Sequence, residues 1–421
     1  MKRAIVLSGG GSKGAYQIGV WKALRQLKID YSIVTGTSVG ALNGALMVQG
    51  SFHRGLALWR RLSFNLIFDK KEVDFTSAEN LNDVYKLYAK NMIAGGINPI
   101  ELEKNLKNVI KEKKVRNSKI DYGIVTVKVP KLEAKCLSKN QIPEGKLTDY
   151  IMASATCFPA FQVKKIGNDK FIDGGFYDNM PINLAIKLGA TEIIAIDLEA
   201  IGRKQEPKKD VKITYISPNN DLGSFLVFDS NIAQTNIKYG YNDTLKVFGY
   251  LEGQSFTFKK GQLKSNYQKY NERFRKIAKI IYELHDDKLI DKIIMNNDIK
   301  LIATGKEISV QRIFNKQMEY LGKILELDAS DIYTARRFNN MLLKKLNSIQ
   351  TLDLKMIEKK IKNNQVKDLL HTKLIVKYIY EKLNNEPLNK KNIRYLMTIA
   401  KIFPKDFIGA LYLSSIEYSW F

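Results

Sequence analysis

The chain has 421 residues, which is room for roughly two to four domains of ordinary size. Hydrophobic residues make up 45% and charged residues 26%, and this balance excludes wholesale disorder and a fibrous architecture. Lys and Arg outnumber Asp and Glu by 68 to 43, so the formal net charge is +25.

The positive charge is spread along the chain. Residues 1–250 carry a net +12 and residues 251–421 a net +13, and most of the basic residues are Lys. A charge excess without a recognition motif is typical of a solvated Lys-rich surface, so we expect no nucleic-acid partner. The same positive charge is also compatible with peripheral contact with an anionic membrane.

Cysteine content and the N-terminus bear on the compartment. Cys136 and Cys157 are the only cysteines, too few for a disulfide framework or a Cys-based zinc site. The apolar run at residues 4–7 is shorter than the ~7–15-residue core of a signal peptide, and no run approaches the ~18 apolar residues of a spanning helix. We therefore expect a cytoplasmic protein, with any membrane contact peripheral and at the inner face.

The N-terminal part alternates strand-like and helix-like segments. Val20, Leu24 and Leu27 recur at helical spacing after the first apolar run. Strands are predicted at residues 4–7, 31–35, 122–127 and 192–196, with a hairpin around residues 167–169. Strands separated by helices predict an α/β fold with a mainly parallel sheet.

The character of the chain changes after about residue 260, where glycine becomes rare and helical periods dominate. Two apolar faces at helical spacing are Ala335, Phe338, Leu342 and Leu346, and Val376, Ile379, Tyr380 and Leu383. We predict a domain 1–260 followed by a mainly α-helical, Lys-rich region 261–421, on which the aromatic end, Tyr412 to Phe421, packs.

The pentapeptide Gly36-Thr37-Ser38-Val39-Gly40 matches G-x-S-x-G between a predicted strand and a small-residue helix. In a nucleophile elbow the serine turn is crowded, so Gly36 and Gly40 must lack a Cβ while the Ser38 hydroxyl stays accessible. A helix N-terminus at this position also stabilises developing negative charge. The same letters are compatible with an ordinary turn in which serine caps a helix, so the pentapeptide alone does not decide.

A glycine-rich loop, Ser-Gly-Gly-Gly-Ser-Lys-Gly at residues 8–14, follows the first predicted strand. Successive N–H groups of such a loop can converge on an oxyanion. Gly9, Gly11 and Gly14 also fit the dinucleotide-binding pattern G-x-G-x-x-G. That pattern requires an acidic residue at the end of the second strand, where this chain carries Ser38, so the cofactor interpretation loses ground.

A catalytic serine needs a base, and the chain has three histidines. His53 lies in a helical stretch shortly after the pentapeptide, and neither His285 nor His371 lies in a glycine-bracketed loop. Asp173 is the stronger candidate, because it ends a predicted strand directly before Gly174 and Gly175 and could take the serine proton itself. An aspartate that caps its own turn is the alternative. The competing acids, with less distinctive surroundings, are Asp178, Asp197 and Glu199.

Taken in order, the glycine loop at residues 9–14, the pentapeptide at 36–40 and the Asp-Gly-Gly at 173–175 resemble the motifs of patatin-like phospholipases. Residues 153–159 and 179–181 also resemble that family, and the likeness covers roughly residues 1–200. The resemblance implies a three-layer α/β fold with a mainly parallel sheet, and a catalytic domain 1–260 whose motifs lie in residues 1–200.

The resemblance also implies a Ser-Asp dyad without histidine, metal or cofactor. Ser38 would be the nucleophile, Asp173 its base, and Gly9, Gly10 and Gly11 the source of oxyanion-hole amides. The supporting motif positions are Ser12, Lys13, Gly14, Gly36, Gly40, Gly174 and Gly175. The implied activity is hydrolysis of a carboxylic ester of a glycerolipid or lysophospholipid through an acyl-enzyme. A lipid transacylase with the same dyad and a non-catalytic protein that binds anionic membranes are the alternatives.

Overall fold

The computed structural model describes residues 2–71, 74, 80–284, 294–350 and 372–417. The chain forms two compact units, Met1–Phe248 and Gly249–Phe421. The division thus falls before the predicted boundary at residue 260, because two short strands that precede residue 260 pair within the second unit. Within the described residues, none of the helices has the length and apolar character needed to cross a bilayer.

The first unit is built on an eight-stranded sheet. Its strands are β1 (Arg3–Leu7), β2 (Ile33–Thr37), β3 (Asp121–Val129), β4 (Glu133–Ser138), β5 (Lys164–Ile166), β6 (Asp169–Asp173), β7 (Glu192–Ile196) and β8 (Lys212–Ile216). The order is β5-β6-β3-β2-β1-β7-β8, and β4 pairs with β3. Strands β3, β2, β1, β7 and β8 pair in parallel, whereas β4, β5 and β6 add antiparallel pairs.

Helices cover both faces of this sheet. They are α1 (Ala15–Gln26), α2 (Val39–Val48), α3 (Phe52–Arg60), α4 (Leu81–Ile93), α5 (Ile100–Val109), α6 (Glu112–Arg116), α7 (Leu147–Ser154), α8 (Ile182–Lys187) and α9 (Ser230–Val247). Alternate residues of β1 point to opposite sides: Ile5 and Leu7 enter the large core that contains α1 and α2, and Ala4 and Val6 the smaller core under α8. The structure therefore confirms the predicted three-layer α/β fold.

The second strand differs from its predicted bounds. It runs from Ile33 to Thr37 rather than over residues 31–35, because Gly36 and Thr37 pair with Ile124 and Val125 of β3. The serine of the pentapeptide consequently follows the last residue of the strand directly.

The second unit is mainly helical. Its elements are β9 (Leu251–Glu252), β10 (Thr257–Lys259), α10 (Gln262–Leu284), α11 (Ile294–Thr304), α12 (Glu307–Ile324), β11 (Ile332–Tyr333), α13 (Ala335–Asn347), α14 (Thr372–Asn385), α15 (Lys390–Ile402) and α16 (Pro404–Ile416). Both predicted apolar faces, on α13 and α14, are buried in one core. Tyr412 of the aromatic end is also buried, whereas residues 418–421 lie outside the described residues.

A closed ring of hydrogen bonds lies inside this second core. The Asn266 amide donates to the Tyr412 hydroxyl (3.0 Å), the hydroxyl donates to Asn339 Oδ1 (2.7 Å), and the Asn339 amide donates to Asn266 Oδ1 (2.9 Å). Each of the three buried side chains donates one hydrogen bond to the next. Polar groups that would destabilise an apolar core if left unpaired are therefore paired.

Helices α1 and α9 of the first unit approach each other closely at two glycines. A Cβ on Gly240 would lie 2.0 Å from the carbonyl oxygen of Tyr16, and a Cβ on Gly19 would lie 2.0 Å from that of Ile237. Backbone atoms cannot move aside as a flexible side chain can, so a methyl group here must push the two helices apart.

We predict that Gly240→Ala lowers the free energy of unfolding by about 1–3 kcal/mol through overpacking. The matched control is Gly55→Ala on α3, where the nearest atoms to an added Cβ are side-chain ends at 3.3 Å or more. This control is expected to be neutral or slightly stabilising, since Ala favours helix. Denaturant unfolding of both variants measures the difference; equal effects would contradict the close-approach explanation.

Candidate active site

Ser38 occupies a strained turn between β2 and α2. Its backbone has φ 57° and ψ −127°, a conformation that residues with a Cβ rarely adopt and that is concentrated at functional sites. A Cβ on Gly36 would lie 2.2 Å from the Gly40 carbonyl oxygen, and one on Gly40 would lie 2.3 Å from that of Leu7. The two glycines are therefore required for this turn to form, as the sequence pattern predicts.

Two hydrogen bonds hold the backbone of Ser38 in place. The Ser38 N–H donates to Ser154 Oγ at 2.9 Å, and that hydroxyl donates to the carbonyl oxygen of Val125 at 2.6 Å. Ser154 ends α7 and Val125 lies on β3, so the two bonds tie the turn to the neighbouring strand. Because the Ser38 N–H is engaged in this way, it is not a free donor to a substrate.

Asp173 ends β6 beside this turn and is buried. Its carboxylate accepts a hydrogen bond from the Gly175 N–H at 2.7 Å, and Asp173 lines the same cavity as Ser38. Burial raises the pKa of Asp173 to about 6, and the interactions of the carboxyl group with the Ser38 side chain and the Gly175 N–H oppose this rise. The structure thus brings together the predicted serine and aspartate, with a carboxyl group whose affinity for a proton is enhanced.

The three glycines that follow Ser8 differ in their hydrogen bonding. The Gly9 N–H donates to the carbonyl oxygen of Asn179 at 3.0 Å and is not available to an oxyanion. Gly10 and Gly11 line the same cavity as Ser38, and no acceptor among the described residues binds their N–H groups. The prediction of three oxyanion donors is therefore corrected for Gly9, while Gly10 and Gly11 stay candidates.

The rest of the glycine loop is fixed by its own contacts. The Ser12 hydroxyl donates to the Ser224 carbonyl oxygen at 2.9 Å, and the Lys13 N–H donates to the Gly10 carbonyl oxygen at 3.1 Å. The Lys13 side chain forms no ion pair within the described part of the chain. The Gly14 carbonyl oxygen accepts a hydrogen bond from the Asn43 amide at 3.0 Å.

The segment that follows Asp173 supports the glycine loop. Gly174 and Gly175 begin a short turn that directs the chain away from Asp173. Asn179, buried at its end, accepts the Gly9 N–H through its carbonyl oxygen and lies with its amide nitrogen 3.5 Å from the Gly9 carbonyl oxygen. The glycine loop beside Ser38 is thus held in place by the segment that follows Asp173.

Sequence reasoning did not assign roles to three of these supporting residues. Ser154 and Asn179 stand in stretches that resemble the family, but neither had a function attached to it. Asn43 was not singled out either, although its buried amide donates to the Gly14 carbonyl oxygen and the Gln17 side chain, and its oxygen accepts the Trp59 indole N–H. A polar residue inside the otherwise apolar and small-residue helix α2 is the feature that could have identified it.

The competing acids lie elsewhere. Asp178 is buried with its pKa raised to about 6, mainly by burial, but its Oδ1 accepts the Met180 N–H and faces the Gln205 N–H. Asp197 forms an ion pair with Lys204 at 2.5 Å, and its Oδ1 accepts the Glu199 N–H. None of these three acids lines the cavity next to Ser38.

The histidines do not compete with Asp173 in the part of the chain that the structure describes. His53 is exposed on α3 and packs edge-on against Phe52, away from the cavity lining. His285 and His371 lie outside the described residues. No group of three His, Cys, Asp or Glu side chains among the described residues could hold a metal ion.

A second nucleophilic side chain, Cys157, also lines the cavity. Burial raises the pKa of its thiol to about 12, and the nearby Asp173 charge adds to the rise. The thiolate is the reactive form of cysteine, so Cys157 is a weak nucleophile near neutral pH.

A cavity of about 710 Å³ opens above Ser38 and Asp173. Its inner wall is formed by apolar side chains, among them Leu42, Leu62, Ile67, Phe161 and Phe228. This volume lies within the range of ligand pockets, and Ser38 and Asp173 are among the few polar residues of its lining. The arrangement can place the carbonyl of a long apolar acyl group against Ser38.

We predict that Asp173→Asn stabilises the fold above the pKa of this carboxyl group. Because the pKa is higher in the folded state than the ordinary value, folding is favoured at low pH, and this contribution is lost as the pH rises through about 6. The neutral Asn removes the charge but keeps an acceptor for Gly175. The variant should be more stable than wild type by up to about 3 kcal/mol at pH 8 and nearly equal at pH 4. Denaturant unfolding at both pH values measures this, and equal differences would refute it.

Part of the chain is similar to known proteins of one family. Residues 5–186 match the family model described as patatin-like phospholipase. Patatin-like phospholipase domain-containing protein 7 of Rattus norvegicus is 27% identical over 203 residues, which cover 46% of this chain and 13% of that protein. Lysophospholipase nte1 of Aspergillus terreus (strain NIH 2624 / FGSC A1156) is 26% identical over 210 residues, 47% of this chain and 12% of that protein.

The chain thus spans about an eighth of the length of these curated relatives. Among solved structures, VipD from Legionella pneumophila aligns with a TM-score of 0.38 and 13% identity, over 99% of this chain and 92% of that one. The family match covers the glycine loop, the elbow and the Asp-Gly-Gly turn. Residues 5–186 of this chain are thus similar to the patatin-like phospholipases.

Proposed function

We propose that the chain is a serine acyl hydrolase that cleaves carboxylic esters of lipids on a dyad of Ser38 and Asp173. The observation that carries the proposal is that Ser38, on a strained turn, and the buried Asp173, with which its side chain interacts, line the same largely apolar cavity. Such a pair contains both parts that nucleophilic catalysis needs, a nucleophile and a base within hydrogen-bonding reach.

Acylation follows from this geometry. Ser38 Oγ attacks the ester carbonyl carbon while its proton passes to the Asp173 carboxylate, and the carbonyl π electrons move onto oxygen. When this tetrahedral intermediate collapses, the bond to the alcohol oxygen breaks, and the alcohol leaves with the proton from Asp173. The products of this half-reaction are the free alcohol and an ester of Ser38.

Deacylation repeats these steps with water. Asp173 takes a proton from the attacking water, whose oxygen bonds to the acyl carbon and forms a second oxyanion. Collapse of that intermediate breaks the bond to Ser38 Oγ, which regains the proton from Asp173. The carboxylic acid is released and the dyad returns to its starting state.

The oxyanion of both intermediates requires donors that are fixed before charge develops. The N–H groups of Gly10 and Gly11 are the candidates, because they line the cavity with Ser38 and bind no acceptor among the described residues. The N-terminus of α2, which begins directly after Ser38, adds a favourable dipole at the same end.

The cavity supports a lipid as the substrate. Its inner wall offers apolar side chains over a volume of about 710 Å³, which suits an acyl chain better than a compact polar ester. One relative of the chain is a protein named as a lysophospholipase. Location in the cytoplasm and contact with an anionic membrane stay predictions.

The chemical identity of the nucleophile can be tested with a fluorophosphonate probe. Wild type should be labelled, and Ser38→Ala should lose both labelling and hydrolysis of a long-chain ester. The matched control is Ser51→Ala, at a helix start whose side chain makes no capping hydrogen bond. Asp173→Asn should lower kcat by at least about 100-fold, because the general base is lost. Full turnover in Asp173→Asn would refute the dyad.

The pH dependence provides an independent test. Because Asp173 must be ionised to accept the serine proton and its pKa is raised to about 6, kcat/KM should fall about tenfold per pH unit below pH 6. Above that pH the profile should be level until another group titrates.

Asp178→Asn is the control for this profile, since the pKa of Asp178 is also raised to about 6. The acid limb should persist in this variant if Asp173 is the base and disappear if Asp178 causes it. Product analysis with an added alcohol distinguishes hydrolysis from the alternative of acyl transfer.

A further inference from the structure

The mouth of the cavity is surrounded by exposed apolar side chains. We call these five residues the rim: Leu132, Phe158, Phe176, Tyr177 and Ile201. All five line the cavity, yet their exposed fractions range from 39% for Tyr177 to 92% for Ile201. The apolar residues of the inner wall are buried, so the same cavity joins a buried apolar lining to these exposed apolar side chains.

The rim is assembled from four separate segments of the first unit. Leu132 lies in the turn between β3 and β4, Phe158 follows α7, Phe176 and Tyr177 follow Asp173, and Ile201 lies in the loop after β7. Four independent segments place apolar groups at one opening, although exposed apolar clusters are avoided on surfaces that only meet water.

Leu132 is the least expected of these residues. It occupies a turn with φ 53°, where glycine or asparagine is favoured, and 63% of its surface is exposed. A leucine here gains little from burial in the described fold and adopts a disfavoured backbone conformation. Burial of Leu132 against a surface that is not part of this chain would account for its presence.

Two unpaired cations flank the rim. Lys131 precedes Leu132, and Arg203 lies two residues after Ile201 and itself lines the cavity. Neither forms an ion pair with a described residue, whereas the neighbouring Lys135 and Lys204 are paired with Glu133 and Asp197. Apolar side chains beside free cations match the boundary between acyl chains and anionic head groups.

We infer that the rim is the surface by which this protein docks on an anionic lipid bilayer, with the cavity mouth facing the acyl region. The inference rests on the proposed function, because a lipid ester must leave the bilayer to reach Ser38. A mouth seated in the interface lets the acyl chain pass between two apolar surroundings without crossing water. A protein bound to the same rim would instead cover the substrate entrance.

Vesicle binding tests the rim without depending on turnover. The Ser38→Ala protein is incubated with vesicles of phosphatidylcholine, with and without phosphatidylglycerol, and the bound fraction is measured by sedimentation. Adding Leu132→Ser and Ile201→Ser should weaken binding at least about tenfold, because two apolar contacts are lost. The control is Ile308→Ser, which removes a 75% exposed apolar side chain in the second unit and should leave binding unchanged.

The cations give a second, separable readout. Lys131→Gln and Arg203→Gln should each weaken binding about fivefold, and only to vesicles that contain phosphatidylglycerol. In proteins that retain Ser38, the Leu132→Ser/Ile201→Ser pair should lower the ratio of vesicle-lipid turnover to soluble short-chain ester turnover. An unchanged thermal unfolding midpoint verifies that these exposed substitutions leave the fold intact.

The outcomes separate the two proposals. Absence of binding by the protein with an intact rim, binding unaffected by the rim substitutions, or a loss with Ile308→Ser equal to that of the rim pair would each overturn the docking surface. Rim-dependent binding together with no hydrolysis of any ester would contradict the proposed function and leave the docking surface standing.

Discussion

The placement of Ser38 beside the buried Asp173 carboxylate is the constraint on which the site of the first unit depends. The positions of both residues are set by two consecutive residues of one strand. Val125 of β3 is in register with Thr37, the residue before the serine, and Thr126 is in register with Asp173. The carbonyl oxygen of Val125 also accepts the Ser154 hydroxyl that holds the Ser38 N–H. A central strand therefore fixes both members of the pair.

Both members of this pair are unfavourable for stability on their own. Ser38 adopts a conformation that costs on the order of 1–3 kcal/mol, and Asp173 keeps a carboxylate where water cannot solvate it. The surrounding layers offset these costs, since the parallel strands are covered by helices on both faces. Strain at Ser38 and desolvation of Asp173 are thus the energetic cost of placing a nucleophile beside its base.

The sequence predicts much of this arrangement because several of its requirements are local. The elbow glycines, the Asp-Gly-Gly turn and the alternation of strands and helices each show in a short window. What it misses depends on residues that lie far apart in the chain. The N–H of Gly9 is occupied by Asn179, and the end of β2 at Thr37 is fixed by its pairing with β3. Such partners follow from tertiary packing, which no local pattern encodes.

The hydrogen-bonded ring of Asn266, Asn339 and Tyr412 in the second unit has a consequence for sequence variation. Each member gives a hydrogen bond to one neighbour and accepts one from the other. An apolar replacement at any one position leaves a buried donor and a buried acceptor unsatisfied, whereas replacing all three removes the polar groups together. A single apolar substitution in the ring should therefore destabilise the second unit, whereas replacing all three residues together avoids unsatisfied buried groups.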